Sequence, residues 1–288
     1  MKRMKVATLI CAVVACACLL LTGCQTENYT PPSKEQAVSN TALGEPGVLR
    51  VGVNAASAPL AGQATGTSTI VGIDADVAAF IADELGCKVN LVDVGNDPIT
   101  ALANGTIDMA LGVDSSEDAV GYWRSDSYLQ TGVALFGAAA ETSVPTVDSK
   151  PQIAAQESSK SSWRVTNLFG DDALLAQDDL KSAFVALESG TVRYTAADAV
   201  IGTYVAHTNG YDDKIIALLQ DASGYCAAVS ETNPELQTAV SSAVKALTTG
   251  GMIEVIESKW LGAPLQLSSV TVVKSAAADT DSKKKKKE

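Results

Sequence analysis

The sequence predicts an α/β protein of two similar lobes, and three observations predict it. From Val48 onward, short β-branched runs alternate with segments of helical period. A phrase recurs, since Ala101–Asp108 (ALANGTID) is echoed by Ala186–Arg193 (ALESGTVR), each a helix end, a glycine and a β-branched strand start. The echo is short enough to come from shared local grammar alone. However, about 220 residues lie between the polar ends, enough for one large or two small domains. Single short helices between strands imply a parallel sheet with right-handed crossovers. Two such lobes facing one another make a cleft, and ligand sites on parallel sheets lie beyond the carboxyl ends of the strands.

The elements follow in order. Val48–Val53 (VLRVGV) reads as a strand that breaks at Asn54. Asp76–Gly86 places Val77, Phe80, Ile81 and Leu85 on one helical face and closes on a glycine. Lys88–Val94 is a strand. Asp97 then offers an N-cap, Pro98 takes the first helical position and Gly105 ends the helix. A strand Ile107–Leu111 follows, then the acidic stretch Gly112–Trp123 with Asp114, Glu117 and Asp118, and then a strand Gly132–Phe136.

The ends differ from the middle. Lys2, Arg3 and Lys5 precede an apolar run, Val6 to Leu20, and then Leu-Thr-Gly-Cys24, the layout of a signal peptide over residues 1–23. The run is shorter than the roughly 20 residues a spanning helix needs. The ending resembles the lipobox of bacterial lipoproteins, which implies that Cys24 is acylated and tethers the mature chain outside the cytoplasmic membrane. Residues 24–46 read as a lipid-anchored flexible linker, polar and without apolar period. Residues 263–288 read as a C-terminal tail; its lysine run, Lys283 to Lys287, is a solvated end or a contact with anionic lipid or cell wall. Only Cys87 and Cys226 remain in the body of the mature chain, where export would permit a disulfide or leave two separate thiols.

Composition excludes several functions. Without the three basic residues of the signal, the formal charge moves from −12 to −15, which argues against nucleic acid as a partner. His207 is the only histidine, in a helix end where a solvated side chain is expected. There is no Cys-x-x-Cys, His-Glu-x-x-His, Gly-x-Ser-x-Gly or phosphate loop. No catalysis, metal or cofactor is expected.

Several phrases together resemble the extracellular solute-binding proteins of family 3, the receptors of amino-acid ABC importers. They are "LRVGV" from Leu49, "IVGIDAD" from Ile70 with its helix, "ALANGTID" from Ala101, "SDSYLQTG" from Ser125, "NPEL" from Asn233 and "GMIEVIESKWLG" from Gly251. The resemblance covers residues 47 to 262. It implies a two-lobed type II periplasmic-binding (Venus flytrap) fold with two crossing hinge strands, at Gly132–Phe136 and Tyr225–Val229. Lobe 1 would be residues 47–131 and 226–262, and lobe 2 residues 132–225. It further implies a monomer that delivers a small solute to an ABC permease in the membrane. A sensory or regulatory lipoprotein without transport is the first alternative, and a dehydratase-like enzyme the second.

The resemblance also carries a site with departures. The family arginine that forks onto a ligand carboxylate falls on Asp118, within Ser115-Ser116-Glu117-Asp118. The aromatic wall after the first strand reads Pro59-Leu60, and the second-lobe Gln-x-Gly-Thr reads Gln156-Glu157-Ser158-Ser159. Asp198 matches the carboxylate that receives the ligand's ammonium group. The implied ligand-binding residues are Asn54, Leu60, Asp114, Ser115, Ser116, Asp118, Ser158, Ser159 and Asp198. A cleft rebuilt with acids would favour a cation over an ordinary amino acid. Arg124, Lys160 or Arg193 could instead replace the arginine, Tyr122 and Trp123 could line the pocket or pack beside it, and the acidic loop could simply be solvated.

Overall fold

A computed structural model describes residues 34–273. The expected signal, Cys24, the start of the expected linker and the lysine run therefore lie outside the described residues. Within them, no helix is long and apolar enough to cross a membrane.

The described residues begin by docking. The expected linker instead packs on the first lobe from Lys34: the Ala37 amide donates to the Leu85 carbonyl, Val38 and Leu43 are buried, and the Asn233 side chain donates to the Ala42 carbonyl. Strand β1 (Val48–Val53) follows, then a two-residue hairpin of β2 (Gly62–Gln63) and β3 (Ile70–Val71). Helix α1 (Ile73–Glu84) starts three residues before the expected Asp76. The reason is local: the Ile73 and Asp74 amides donate to the Pro59 and Leu60 carbonyls, so the loop after β1 caps the helix. Gly72, at φ +139°, makes the approach possible, because a Cβ there would stand 2.3 Å from the Leu60 oxygen.

Strand β4 (Lys88–Asp93) and helix α2 (Pro98–Ala103) match their signals, and the Asp97 carboxylate accepts the Thr100 amide as an N-cap. Strand β5 (Met109–Asp114) begins two residues later than expected. Asp108 is occupied with Arg50, whose guanidinium donates to it at 2.7 and 3.1 Å. A ten-residue strand, β6 (Tyr122–Thr131), separates the acidic loop from the next element; the sequence reading lacked it.

After Gly132 the chain enters a second sheet. It contributes β7 (Val133–Ala138), β8 (Ile153–Gln156), helix α3 (Lys160–Phe169), β9 (Leu174–Gln177), helix α4 (Leu180–Glu188), β10 (Tyr194–Asp198), helix α5 (Ala199–Asn209) and β11 (Asp213–Leu218). Its core includes Phe136 and Phe184 in edge-to-face contact, 5.2 Å between centroids. The chain returns to the first sheet with β12 (Ser223–Ser230), followed by helices α6 (Pro234–Thr249) and α7 (Met252–Leu261). The return thus falls at residues 219–222, ahead of the expected 226. Residues 263–273 are not a tail: Val272 bridges Leu218 in parallel, and Leu267 and Val273 are buried against the second sheet.

The two sheets share one plan. The first has the order β4-β1-β5-β12-β6, the second β9-β8-β10-β7-β11 read from its other edge. In each, three parallel strands are followed by an antiparallel one. The repeated phrase occupies the same place in both, leading into β5 and β10, with Gly105 at φ +72° and Gly190 at φ +73°. Helix α5 joins the lobes, since its Val200 is buried within the first-lobe core. Cys87 and Cys226 are free.

One carboxyl pair stands out for its lack of donors. Both oxygens of Asp213 are buried without a hydrogen-bond partner, and burial, then the adjacent Glu188 carboxylate and Asp212, push its pKa up to about 7. The folded state holds that proton more tightly than the unfolded chain, so this group stabilises the fold as pH falls through 7 toward 4. Asp213→Asn should raise the melting temperature at pH 8 by a few degrees, equivalent to about 1 kcal/mol after solvent screening, and should flatten its pH dependence between 5 and 8. An unchanged melting profile would show that the pair is not proton-sharing.

Candidate functional site

The carboxyl ends of β1, β4 and β5 border a cavity of about 410 Å³. Asn54 and Leu60 come from the loop after β1, Asn96 and Asp97 from the turn after β4, and Leu111 to Asp114 from β5. Asp74, Glu117, Tyr122 and Tyr225 also line the cavity, and no lysine or arginine does.

Asp74 lies deepest. It is 2% exposed, and its Oδ1 accepts a 2.6 Å hydrogen bond from the Tyr128 hydroxyl, which in turn accepts from the Gly112 amide. Burial pushes the carboxyl up to about 6 against the pull of that hydrogen bond. Gly112 sits at φ +74°, where a Cβ would come 3.0 Å from Asp74 Oδ2.

Asp114 ends β5. Its Oδ1 accepts from the Ser116 amide, and its Oδ2 accepts from Lys160 Nζ at 3.0 Å, across from the second lobe. Burial raises its pKa, but the Ser116 amide and the Lys160 ammonium outweigh this and hold it below the ordinary value.

Asp198 ends β10 in the second lobe. Its Oδ1 accepts the Val200 and Ile201 amides, capping α5, and its Oδ2 accepts from Thr131 at 2.5 Å and from the Tyr225 hydroxyl at 3.4 Å. Burial raises its pKa in spite of these donors. Tyr225 binds the pieces together: its phenol is raised first by burial, then by the negative charges of Asp198, Asp114 and Asp74. Of the three, only Asp198 hydrogen-bonds this hydroxyl; Asp114 and Asp74 act on it through their charge.

The expected residues divide accordingly. Asn54, Leu60 and Asp114 line the cavity, and Asp198 meets it through Tyr225. Ser116 Oγ accepts from Lys160 at 3.3 Å. Ser115 is committed to β12, exchanging hydrogen bonds with Gly224. Ser159 caps α3 in a capping box with Ser162, and Ser158 holds the preceding turn at φ +58°. Asp118 is exposed and outside the cavity wall; Arg124 Nη1 donates to the Glu117 carbonyl at 2.7 Å and fixes the turn so that Glu117, not Asp118, lines the wall.

The basic candidates separate as well. Arg193 pairs with Glu141 on the surface, and Arg124 is tied to backbone carbonyls of the acidic loop. Lys160 alone of the three reaches a side-chain carboxylate of the cavity wall. Tyr122 is buried in that wall, while Trp123 packs on the first-lobe core. Among the described residues, no group of three or more histidine, cysteine or acidic side chains is placed to hold a metal ion. Asp74 and Tyr225 were missed as site residues. For Asp74 a signal existed: its spacing from Val77, Ala78, Ile81 and Leu85 puts a carboxylate on the apolar face of α1.

Residues 49–263 match the model of the bacterial extracellular solute-binding proteins, family 3. Among solved structures, an ancestral cationic amino acid solute-binding protein shares 22% identity at a TM-score of 0.64, covering 75% of this chain and 96% of that one. The L-cystine solute receptor of Neisseria gonorrhoeae in its unliganded open conformation shares 20% identity at 0.62, covering 76% and 95%. An amino acid ABC transporter substrate-binding protein from Streptococcus pneumoniae bound to L-arginine shares 22% identity at 0.56, covering 76% and 96%. These likenesses establish the type II periplasmic-binding fold. No curated protein matches the chain.

Gly112 carries a local prediction. Gly112→Ala forces an alanine into the left-handed region against the Asp74 carboxylate. The substitution should cost about 1–2 kcal/mol, read as a melting temperature several degrees lower in thermal denaturation. A melting point equal to wild type would mean that the backbone there is free to relax.

Proposed function

The chain belongs to the bacterial extracellular solute-binding proteins of family 3, and from that premise we propose that it is the membrane-anchored receptor of an ABC importer, capturing a small amino-acid-like or cationic solute between its lobes. The carrying observation is the cavity at the carboxyl ends of the first-lobe strands, lined by Asp74, Asp97, Asp114 and Glu117 and by no basic side chain, whose Tyr225 donates to Asp198 at the end of β10. Asp198 at the end of β10 is linked through the Tyr225 hydroxyl to the cavity that Asp114 lines at the end of β5, so a positively charged group placed there is drawn by both.

In this reading Asp198 receives the solute's ammonium group. Lys160, at the start of α3 in the second lobe, takes over from the missing arginine as the partner for any solute carboxylate, released from Asp114 as the solute arrives. Asn54 and Leu60 form the first-lobe wall. Acylation at Cys24 holds the receptor, as a monomer, outside the cytoplasmic membrane beside its permease. Closure around the solute would be a population shift that the permease reads.

Thermal shift of residues 25–288 against amino acids, polyamines and other organic cations tests the reading. A solute at about 100 times its dissociation constant stabilises the native state by about 2.7 kcal/mol. We expect stabilisation by solutes carrying an ammonium group, lost in Asp198→Asn. An unstabilised protein across the panel, or a response indifferent to Asp198→Asn, would sink it.

A further inference from the structure

Two cations on one face of α3 are engaged at the boundary between the lobes. Lys160 opens this second-lobe helix, and its ammonium donates to Asp114 Oδ2 at 3.0 Å and to Ser116 Oγ at 3.3 Å, both on the first lobe. Arg164 lies one turn further on the same face. It donates at 2.6 Å to the carbonyl of Leu219, the first residue after β11, where the chain leaves the second sheet. One end of α3 is therefore tied to the first lobe and its next turn to the crossing segment.

Both ends of the Lys160 bridge are held by their own lobe. On the acceptor side, Asp114 Oδ1 accepts the Ser116 amide, Ser115 exchanges hydrogen bonds with Gly224 on β12, and Arg124 donates to the Asp114 and Glu117 carbonyls. On the donor side, the capping box of Ser159 and Ser162 fixes the first turn of α3. Neither loop is left to follow the other, so the bridge survives only over those angles between the lobes that the lysine stem can span. Asp114 also lines the cavity. The carboxylate that would draw a cation into the cleft already carries one from the opposite lobe.

We propose that Lys160 is an interlobe latch, an internal counter-ion that holds the solute-free protein partly closed and that an entering cation must displace from Asp114. With the lysine side chain 53% exposed, the pair shifts the ratio of closed to open forms by about two- to fivefold. That biases the hinge without locking it. The latch requires no particular solute, so it stands or falls separately from the receptor reading.

Small-angle X-ray scattering from residues 25–288, without solute, tests it. Lys160→Gln should have a larger radius of gyration than the wild type. Sodium chloride at about 1 M, where the screening length falls to about 3 Å, should expand the wild type toward the variant and leave the variant unchanged. Lys160→Arg, which keeps a charged donor, should stay as compact as the wild type. Lys245→Gln removes the same charge from an exposed position on α6 and should match the wild type. A Lys160→Gln profile that superimposes on the wild type would overturn the latch, as would equal expansion of both proteins with salt. A lower melting temperature at unchanged radius would mark the pair as merely structural and overturn it too.

Discussion

The Asp198 carboxylate is the junction on which the two-lobed arrangement depends. It caps α5, holds the Thr131 hydroxyl and reaches the Tyr225 hydroxyl. Thr131 is the last residue of β6, one position before the chain passes into the second sheet, and Tyr225 lies on the strand that returns from it. The Ala199 amide donates to the Gly132 carbonyl, so the same corner is also closed through the backbone. One side chain thus fixes the start of a helix and the first two passages between sheets. Any charge brought to Asp198 acts on the elements that set the angle between the lobes, because a ligand can bias two conformations only through contacts that differ between them.

The acids of the cleft are held chiefly by dipoles rather than by cations. Asp198 is the N-cap of α5, and Asp74 lies in the first turn of α1, where the aligned peptide units favour negative charge. Asp114 takes the Ser116 amide. Amide donors stabilise a carboxylate without cancelling its charge. The contrast is Asp213, where neither oxygen has a donor and the neighbour is another acid. There the chain answers with a proton. In the cleft the donors are sufficient to keep acids in place and insufficient to neutralise them, which leaves a negative field open to a solute.

Local turn chemistry was legible in the sequence because its cause is local. Asp97-Pro98 caps α2, and each of the two echoing phrases turns on a glycine, at nearly equal positive φ, as that residue type allows. Elements defined by tertiary contact were not legible. Strand β6 reads YWRSDSYLQT, whose burial follows its bulged pairing with β12 rather than a period of two. The segment around Val38 and Leu43 is polar in composition, and only the surface offered by α1 and α6 gives those two side chains somewhere to go. The acidic loop misled for a different reason. Alignment by phrase put Asp118 at the site, whereas the hydrogen bond from Arg124 to the Glu117 carbonyl, invisible to spacing, decides which acid lines the wall.

The shared plan of the two sheets gives each lobe an aspartate at the carboxyl end of its third parallel strand, Asp114 on β5 and Asp198 on β10. Their surroundings differ in a way that matters. Asp198 is held from within by four hydrogen bonds, two of them from the helix it caps. Asp114 is met by Lys160 from the opposite lobe, a side chain still 53% exposed. An ion pair that open to solvent contributes about 0–1 kcal/mol, far less than a solute making several charged contacts. Lys160 is therefore a contact that can be exchanged at little cost, whereas Asp198 cannot be released without undoing the start of α5. Asp198 is thus an acid whose own donors are fixed and Asp114 one whose partner can be exchanged, and that asymmetry follows from which donor each strand end happens to meet.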